Sequence, residues 1–263
     1  MDNIRQAAVA NLFYPGQSAE LNEMVANFLS TVKASQLPPP KAIIAPHAGY
    51  IYSGPIAATA YAELYKSRHL IKRVILLGPS HRVAFYGCAV SDADFFSTPL
   101  GNIPVDKDKI QWLVEQKLVT QLNEAHQLEH CLEVQLPFLQ KICENIKIVP
   151  IVVGDATIKE VSFLIEKLWD GEETVIVISS DLSHYHSYDI AKQMDSETSH
   201  AIEQLDFNAI NAEQACGYIP IRGLLHYAKT IGLTATTLDC RNSGDTAGPR
   251  DQVVGYGAYA FVQ

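Results

Sequence analysis

The segment Thr174-Val175-Ile176-Val177-Ile178 is a β-branched run with no polar face, and it constrains the fold of this chain more than any other stretch. A strand without alternation has to be covered on both sides, the condition of an interior strand in a parallel sheet packed between helices. Polarity changes at once after Ile178: Ser179, Ser180, Asp181, Ser183 and His184 follow with no Gly or Pro between them. A carboxylate and an imidazole are thus carried at the carboxyl end of a core strand, the edge of an open α/β sheet where ligands bind.

Two other segments have the same form. Ala42-Ile43-Ile44-Ala45 runs into Pro46-His47-Ala48-Gly49, and Val74-Ile75-Leu76-Leu77 runs into Gly78-Pro79-Ser80-His81. A single histidine after a strand is more often a loop residue or a hydrogen-bonded core group. Three such strands, as parallel neighbours, bring His47, His81 and His184 to one rim.

The remaining pattern fits an α/β fold with a largely parallel central sheet flanked by helices on both faces, as one domain over residues 1–263, because no Pro/Gly/Ser-rich linker, charge run or low-complexity stretch divides the chain. Leu21, Met24, Val25, Phe28, Leu29 and Val32 fall at helical spacing from about Ser18, with Pro38-Pro39-Pro40 as the stop. Helices are predicted through Leu64, after Asp106, over Ile158 to Trp169, Tyr188 to Leu205 and Pro220 to Ile231. Further strands are predicted at Cys88–Val90, Ile146–Val153, Thr234–Cys240 and Val253–Val262, with a loop or hairpin over Phe95 to Gly101. Gly49 and Gly54 suit close backbone approach near the rim. Tyr50 and Tyr52 are read equally as its walls and as surface rings.

Charge excludes some functions. A formal net charge of −9 disfavours attraction to phosphate backbones or anionic lipid, so neither nucleic acid nor membrane is an expected partner. The N-terminus has no basic region followed by an apolar one, and no apolar run approaches the ~18 residues of a membrane span. The expected location is cytoplasmic. The five cysteines, at 88, 131, 143, 216 and 240, are scattered without a Cys-x-x-Cys pair, which argues against a disulfide framework or a Cys-rich zinc site.

What chemistry remains is metal-dependent, since no Gly-x-Ser-x-Gly elbow, phosphate-binding Gly-Lys-Ser/Thr loop or dinucleotide glycine motif is present. His47, His81 and Cys240, each where a strand gives way to a loop, make a three-ligand site with open positions. Imidazole and thiolate suit iron, copper or zinc far better than magnesium or calcium. Asp181 and His184 then act beside the metal, His184 as general acid/base and Asp181 as its orienter or a further ligand. Spacing alone leaves Cys240 open between this role and that of a small buried hydrophobe. One competing motif exists: His126-Gln127-Leu128-Glu129-His130 matches the inverted His-x-x-Glu-His zinc-peptidase pattern. The favoured reading instead puts His130, Glu129 and Glu133 near the main site as supporting or substrate-facing groups.

Taken in order, Ala45-Pro46-His47-Ala48-Gly49-Tyr50, Leu77-Gly78-Pro79-Ser80-His81, Glu129-His130-Cys131-Leu132-Glu133-Val134-Gln135-Leu136-Pro137-Phe138-Leu139, Ser179-Ser180-Asp181-Leu182-Ser183-His184-Tyr185 and Leu238-Asp239-Cys240 resemble the Memo family. Bacterial and archaeal members of that family are labelled AmmeMemoRadiSam system protein B, and its fold is similar to that of class III extradiol dioxygenases. The resemblance spans essentially the whole chain. It implies that His47, His81 and Cys240 bind metal with Asp181 and His184 beside them, and that the site is copper- or iron-binding and redox-active. It also implies a protein-interaction role in animal members. The third iron ligand of the dioxygenases is a glutamate where this match places Cys240, so ring cleavage is not implied.

Two functional classes follow: a metal-dependent oxidoreductase acting on an unknown small molecule, and a metal-handling or partner-binding protein without turnover. On the peptidase reading, His126→Ala abolishes metal binding. On the favoured one it leaves metal content nearly unchanged, and Cys240→Ser lowers affinity for soft metals strongly while Cys216→Ser serves as the control.

Overall fold

The run 174–178 lies in the interior of a nine-stranded sheet. The computed structural model describes residues 2–33 and 35–263; Met1, where the N-terminal reading begins, and Ala34 lie outside the described residues. In chain order the strands are β1 (Ile4–Arg5), β2 (Ala42–Ala45), β3 (Arg73–Pro79), β4 (Cys88–Val90), β5 (Phe95–Thr98), β6 (Gly101–Pro104), β7 (Thr120–Gln121), β8 (Lys147–Val153), β9 (Thr174–Ser179), β10 (His184–His186), β11 (Thr234–Asn242) and β12 (Val253–Val262). The helices are α1 (Ser18–Thr31), α2 (Tyr50–Ala62), α3 (Lys107–Glu115), α4 (Asn123–Gln127), α5 (Leu136–Ile142), α6 (Ile158–Leu168), α7 (Tyr188–Glu203) and α8 (Tyr218–Ile231).

The apolar runs form the parallel centre. β9 pairs with β2 on one side and β3 on the other, and β8 follows β3, with Val177 level with Ile43 and with Leu76. Ile43, Ile44, Leu76, Ile176, Val177 and Ile178 are wholly buried, as strands without a polar face require. Two crossovers explain the covering layers. From β2 through α2 to β3 the chain moves one way across the sheet, and from β8 through α6 to β9 it moves the other. Right-handed crossovers in opposite directions place α2 and α6 on opposite faces.

The margins bring in antiparallel pairs, although the edge strand β7 is parallel to β4. β12 is antiparallel to β2, β11 and β10, and β4 is antiparallel to β8. The connection 243–252 is too short for a crossover helix, so β11 and β12 return on each other. Other predicted elements are present with small shifts: β5 and β6 form the hairpin, α1 stops at Thr31 well before the prolines, and α7 ends at Glu203. Helix α6 opens with a capping box in which Thr157 and Glu160 bond reciprocally. Among the described residues no helix is long and apolar enough to cross a membrane.

This topology positions the rim. Because β2, β3 and β9 are parallel neighbours, the residues that follow them emerge side by side at one sheet edge. Gly78 lets the loop after α4 lie across that edge, since a Cβ at 78 would sit 2.6 Å from Cys131 Sγ and 3.0 Å from Leu132 Cδ2. Glu133 anchors the same loop from beneath. Its buried carboxylate accepts from the Arg5 guanidinium, the Tyr14 hydroxyl, Ala8 N–H at 2.7 Å and Val9 N–H at 3.0 Å. Glu133 is therefore a structural carboxylate that ties the N-terminal segment to the loop, a supporting rather than a substrate-facing group. Arg5 completes the tie by donating to His126 O at 3.0 Å and Glu129 O at 2.6 Å.

Removing one member of a buried, hydrogen-bonded ion pair leaves the other charge uncompensated, which costs about 3–5 kcal/mol. Glu133→Ala is expected to lose stability on that scale in denaturant unfolding. Thr157→Ala, which deletes the exposed N-cap of α6, should cost about 1 kcal/mol. Equal losses would contradict the anchoring role.

Candidate metal centre

Five rim residues come from the three parallel strand ends and from the loop held by Glu133. His47 follows β2, His81 follows β3, Asp181 and His184 follow β9, and His130 comes from the anchored loop. The rings of His47 and His81 lie 5.1 Å apart between centroids, His81 and His130 4.7 Å, and His47 and His130 5.4 Å. The sixth residue is Cys216, in the segment entering α8, whose Sγ is 3.3 Å from His47 Nε2. Donor atoms of His47, His81 and Cys216 all lie within 4.8 Å of one another.

Hydrogen bonding fixes which nitrogen each histidine presents. Ser179 Oγ lies 2.6 Å from Cys131 O, a contact between two oxygens that requires the serine proton. His47 Nδ1, 2.9 Å from the same hydroxyl, must then donate to it, leaving the Nε2 lone pair directed to Cys216. His81 Nδ1 donates to Glu129 Oε1 at 2.8 Å, and His184 Nδ1 donates to Leu182 O at 2.8 Å. Each of these rings is thus held through Nδ1 with Nε2 free, the arrangement that orients a ligating imidazole from behind. His130 differs: its Nδ1 lies 3.3 Å from Glu129 Oε1 without a hydrogen bond.

Burial favours the neutral form of His47 and His130. Burial, reinforced by neighbouring His81, holds His47 well below the usual histidine range, and burial with His47 nearby lowers His130 to about 4. Glu129 is buried too, which on its own would raise its carboxyl. The bonds from His81 and from the His81 and Cys131 amides outweigh that and hold it at about 2, a carboxylate throughout the neutral range. Asp181 is also buried and its carboxyl is pushed up, against the opposing pull of the His47 amide. One of its oxygens accepts His47 N–H at 2.7 Å; the other lies 3.9 Å from His47 Nε2. Burial pushes the Cys216 thiol up to about 12. Two imidazole nitrogens with free lone pairs and one thiol form a donor set suited to a borderline or soft transition metal.

Cys240 is not among these groups. It pairs with Gly257 in β11, is exposed, and receives the Ser199 hydroxyl at 3.6 Å. Tyr259 pairs with Ile44, so Cys240 stands at about the right height along the sheet, but β12 intervenes between β11 and β2. Two strand spacings set it about 10 Å to the side. Among the described residues the sulfur grouped with His47 and His81 is that of Cys216, the cysteine that the sequence reading used only as a control. Gly217 enables the close approach, because a Cβ there would lie 2.7 Å from Ser180 Cβ.

The peptidase pattern is also not assembled. Helix α4 ends at Gln127, so His126 and His130 do not share a helical face. His126 is buried, bonds Ala89 O through Nε2 at 3.0 Å, and belongs to no ligand group among the described residues. Tyr50 is core, donating to Val134 O at 2.6 Å. His226, which had no evident partner in the sequence, meets Ser162 Oγ at 2.8 Å.

Comparison with known proteins agrees with the resemblance noted above. The family described as Memo-like protein matches residues 5–260. A MEMO1 family protein of Aquifex aeolicus is 36% identical over 270 residues, covering 98% of this chain and 99% of that protein. One from Saccharolobus solfataricus is 40% identical over 233 residues, covering 83% and 81%. Among solved structures, the uncharacterized protein JW3007 of Escherichia coli K12 shares the fold, with a TM-score of 0.52 at 14% identity over 83% of this chain and 98% of that one. With the family matched from Arg5 to Ala260 and relatives aligned over most of its length, the chain belongs to the Memo family.

Proposed function

We propose that the chain holds a transition-metal ion, iron or copper with zinc as a redox-silent alternative, on His47, His81 and Cys216, and uses it in redox chemistry on a small molecule. The observation that carries this reading is the convergence of the three donors within 4.8 Å with the two imidazoles fixed through Nδ1. A bound iron or copper would supply one-electron exchange and a Lewis-acid position.

The chain's own groups have distinct tasks on this reading. Glu129 fixes the tautomer and plane of His81, and Ser179 does the same for His47. Asp181, pinned by the His47 amide through one oxygen, offers the other as a proton acceptor facing the centre. His184, held by Leu182 O, can take or release a proton at Nε2. His81 is partly exposed while His47 is buried, so small molecules reach the centre from the His81 side.

The cysteine assignments are now reversed from the sequence expectation. Cys216→Ser should lower copper or zinc affinity at least about tenfold under reducing conditions, because a hydroxyl is a much weaker donor to soft metals, whereas Cys240→Ser should bind as wild type does. Equal affinities in Cys216→Ser and wild type would exclude the thiolate ligand. Because the metal-free Cys216 is a protonated thiol, metal uptake at neutral pH should release about one proton per ion in wild type and none in Cys216→Ser.

Turnover is tested separately. Fe(II)- or Cu-loaded protein should consume oxygen with a member of a panel of catechols and small reductants, and Cys216→Ser should not. Silence with stoichiometrically loaded metal would contradict the redox reading and leave metal handling as the function.

A further inference from the structure

The turn that carries Asp181 and His184 is fixed through each of its successive amides. Ser180 N–H donates to Ala45 O at 3.0 Å, Asp181 N–H to Cys216 Sγ at 3.3 Å, and Leu182 N–H to Gly255 O at 2.8 Å. Ser183 N–H donates to Asp195 Oδ1 at 3.0 Å. Only this last bond is made by a side chain outside both the sheet backbone and the proposed ligands, reaching in from the middle of α7.

Asp195 is an expensive group to keep there. It is 2% exposed, and no ion pair among the described residues includes it. A buried carboxylate without a cation is destabilising except as far as hydrogen bonds compensate it, and here the Ser183 amide supplies one. Burial raises its carboxyl to about 6, with the Ser183 amide pulling the other way.

The neighbouring backbone is shaped to admit it. A Cβ at residue 255 would lie 2.0 Å from Asp195 Oδ2, so the carboxylate fits only against glycine. Gly255 is in turn stitched to both sides of the turn, accepting Leu182 N–H and donating its own N–H to Ser183 O at 2.8 Å. The Ser183 hydroxyl is buried beside them without a hydrogen bond.

The orientation of His184 follows from the same turn, because its Nδ1 bonds Leu182 O. The next residue, Tyr185, has φ of 61°. An aromatic residue in the left-handed region is strained and persists only where its surroundings over-determine it.

We propose that Asp195 is a positioning residue: through the Ser183 amide it sets the turn that fixes the His184 ring through Nδ1 and keeps the free Asp181 oxygen beside His47 Nε2. The consequence for chemistry rests on the function proposed above. The positioning itself does not, and is measured on metal-free protein, so either can fail alone.

The experiment compares wild type, Asp195→Ala, Gly255→Ala and Asp195→Asn by amide hydrogen exchange and by imidazole ¹⁵N resonances. In wild type, Ser183 should be protected and His184 should be a single Nδ1–H tautomer. Deleting the carboxylate, or displacing it with the Cβ at 255, should lower Ser183 protection at least about tenfold, the scale of a lost hydrogen bond to a charged group, and give mixed His184 tautomers. Amides of Ile75 and Val149 in the sheet centre should keep their protection. Asp195→Asn, which retains an acceptor oxygen, should restore most of both signals. Should Asp195→Ala fail to fold, the Gly255→Ala and Asp195→Asn pair makes the same comparison. An unchanged His184 tautomer and unchanged Ser183 protection in either the Asp195→Ala or the Gly255→Ala protein would overturn the proposal.

Discussion

The hydroxyl of Ser179, buried at the end of β9, has three partners: it donates to Cys131 O, accepts from Gln135 Nε2 at 2.8 Å and accepts from His47 Nδ1 at 2.9 Å. It thereby joins the end of β9, the residue after β2 and the loop carrying Glu129 and His130. Gln135 extends the join by also donating to Pro46 O at 3.0 Å and accepting from the Tyr61 hydroxyl at 2.8 Å. A fully satisfied buried network of this kind is rigid, whereas a half-satisfied one is costly. Rigidity here has a specific result, because the direction of the serine proton determines the His47 tautomer and hence where its lone pair points.

A second carboxylate network stands behind the first. Glu129 accepts from the His81 ring and amide and from the amides of His130 and Cys131. Its backbone carbonyl is held by Arg5, whose guanidinium is paired with Glu133. The chain from Glu133 through Arg5 to Glu129 and His81 connects the packing of the N-terminal segment with the plane of a candidate ligand. Stability and site geometry are therefore linked through the same buried charges, which are tolerated because each carboxylate is matched by several donors and the guanidinium by several acceptors.

Much of this was legible in the sequence, and the reasons it stopped being legible are geometric. Apolar runs without alternation gave the four central strands, and parallel neighbours necessarily carry His47, His81 and His184 to one edge. The same strand-end logic misled at Cys240: it stands at about the correct height but within β11, which continues to Asn242, and the antiparallel hairpin of β11 on β12 moves it sideways. Cys216 reaches the site from a helix-entry segment, and no periodicity in the chain reports which loop folds over which strand end. Glu133 and Glu129 are four residues apart in one motif, yet one meets Arg5 and the other His81. That division depends on a loop path set by Gly78 and the N-terminal segment, which local pattern does not encode.

X-ray absorption at the metal edge reads directly whether one sulfur and two imidazoles meet at a single ion. Zinc-loaded wild type should show one sulfur scatterer at about 2.3 Å with nitrogen scatterers at about 2.0 Å, and copper- or iron-loaded protein should likewise show one sulfur. The sulfur should persist in Cys240→Ser and vanish in Cys216→Ser. A first shell without sulfur in wild type, or one that loses its sulfur in Cys240→Ser, would contradict the assignment of Cys216 to the centre.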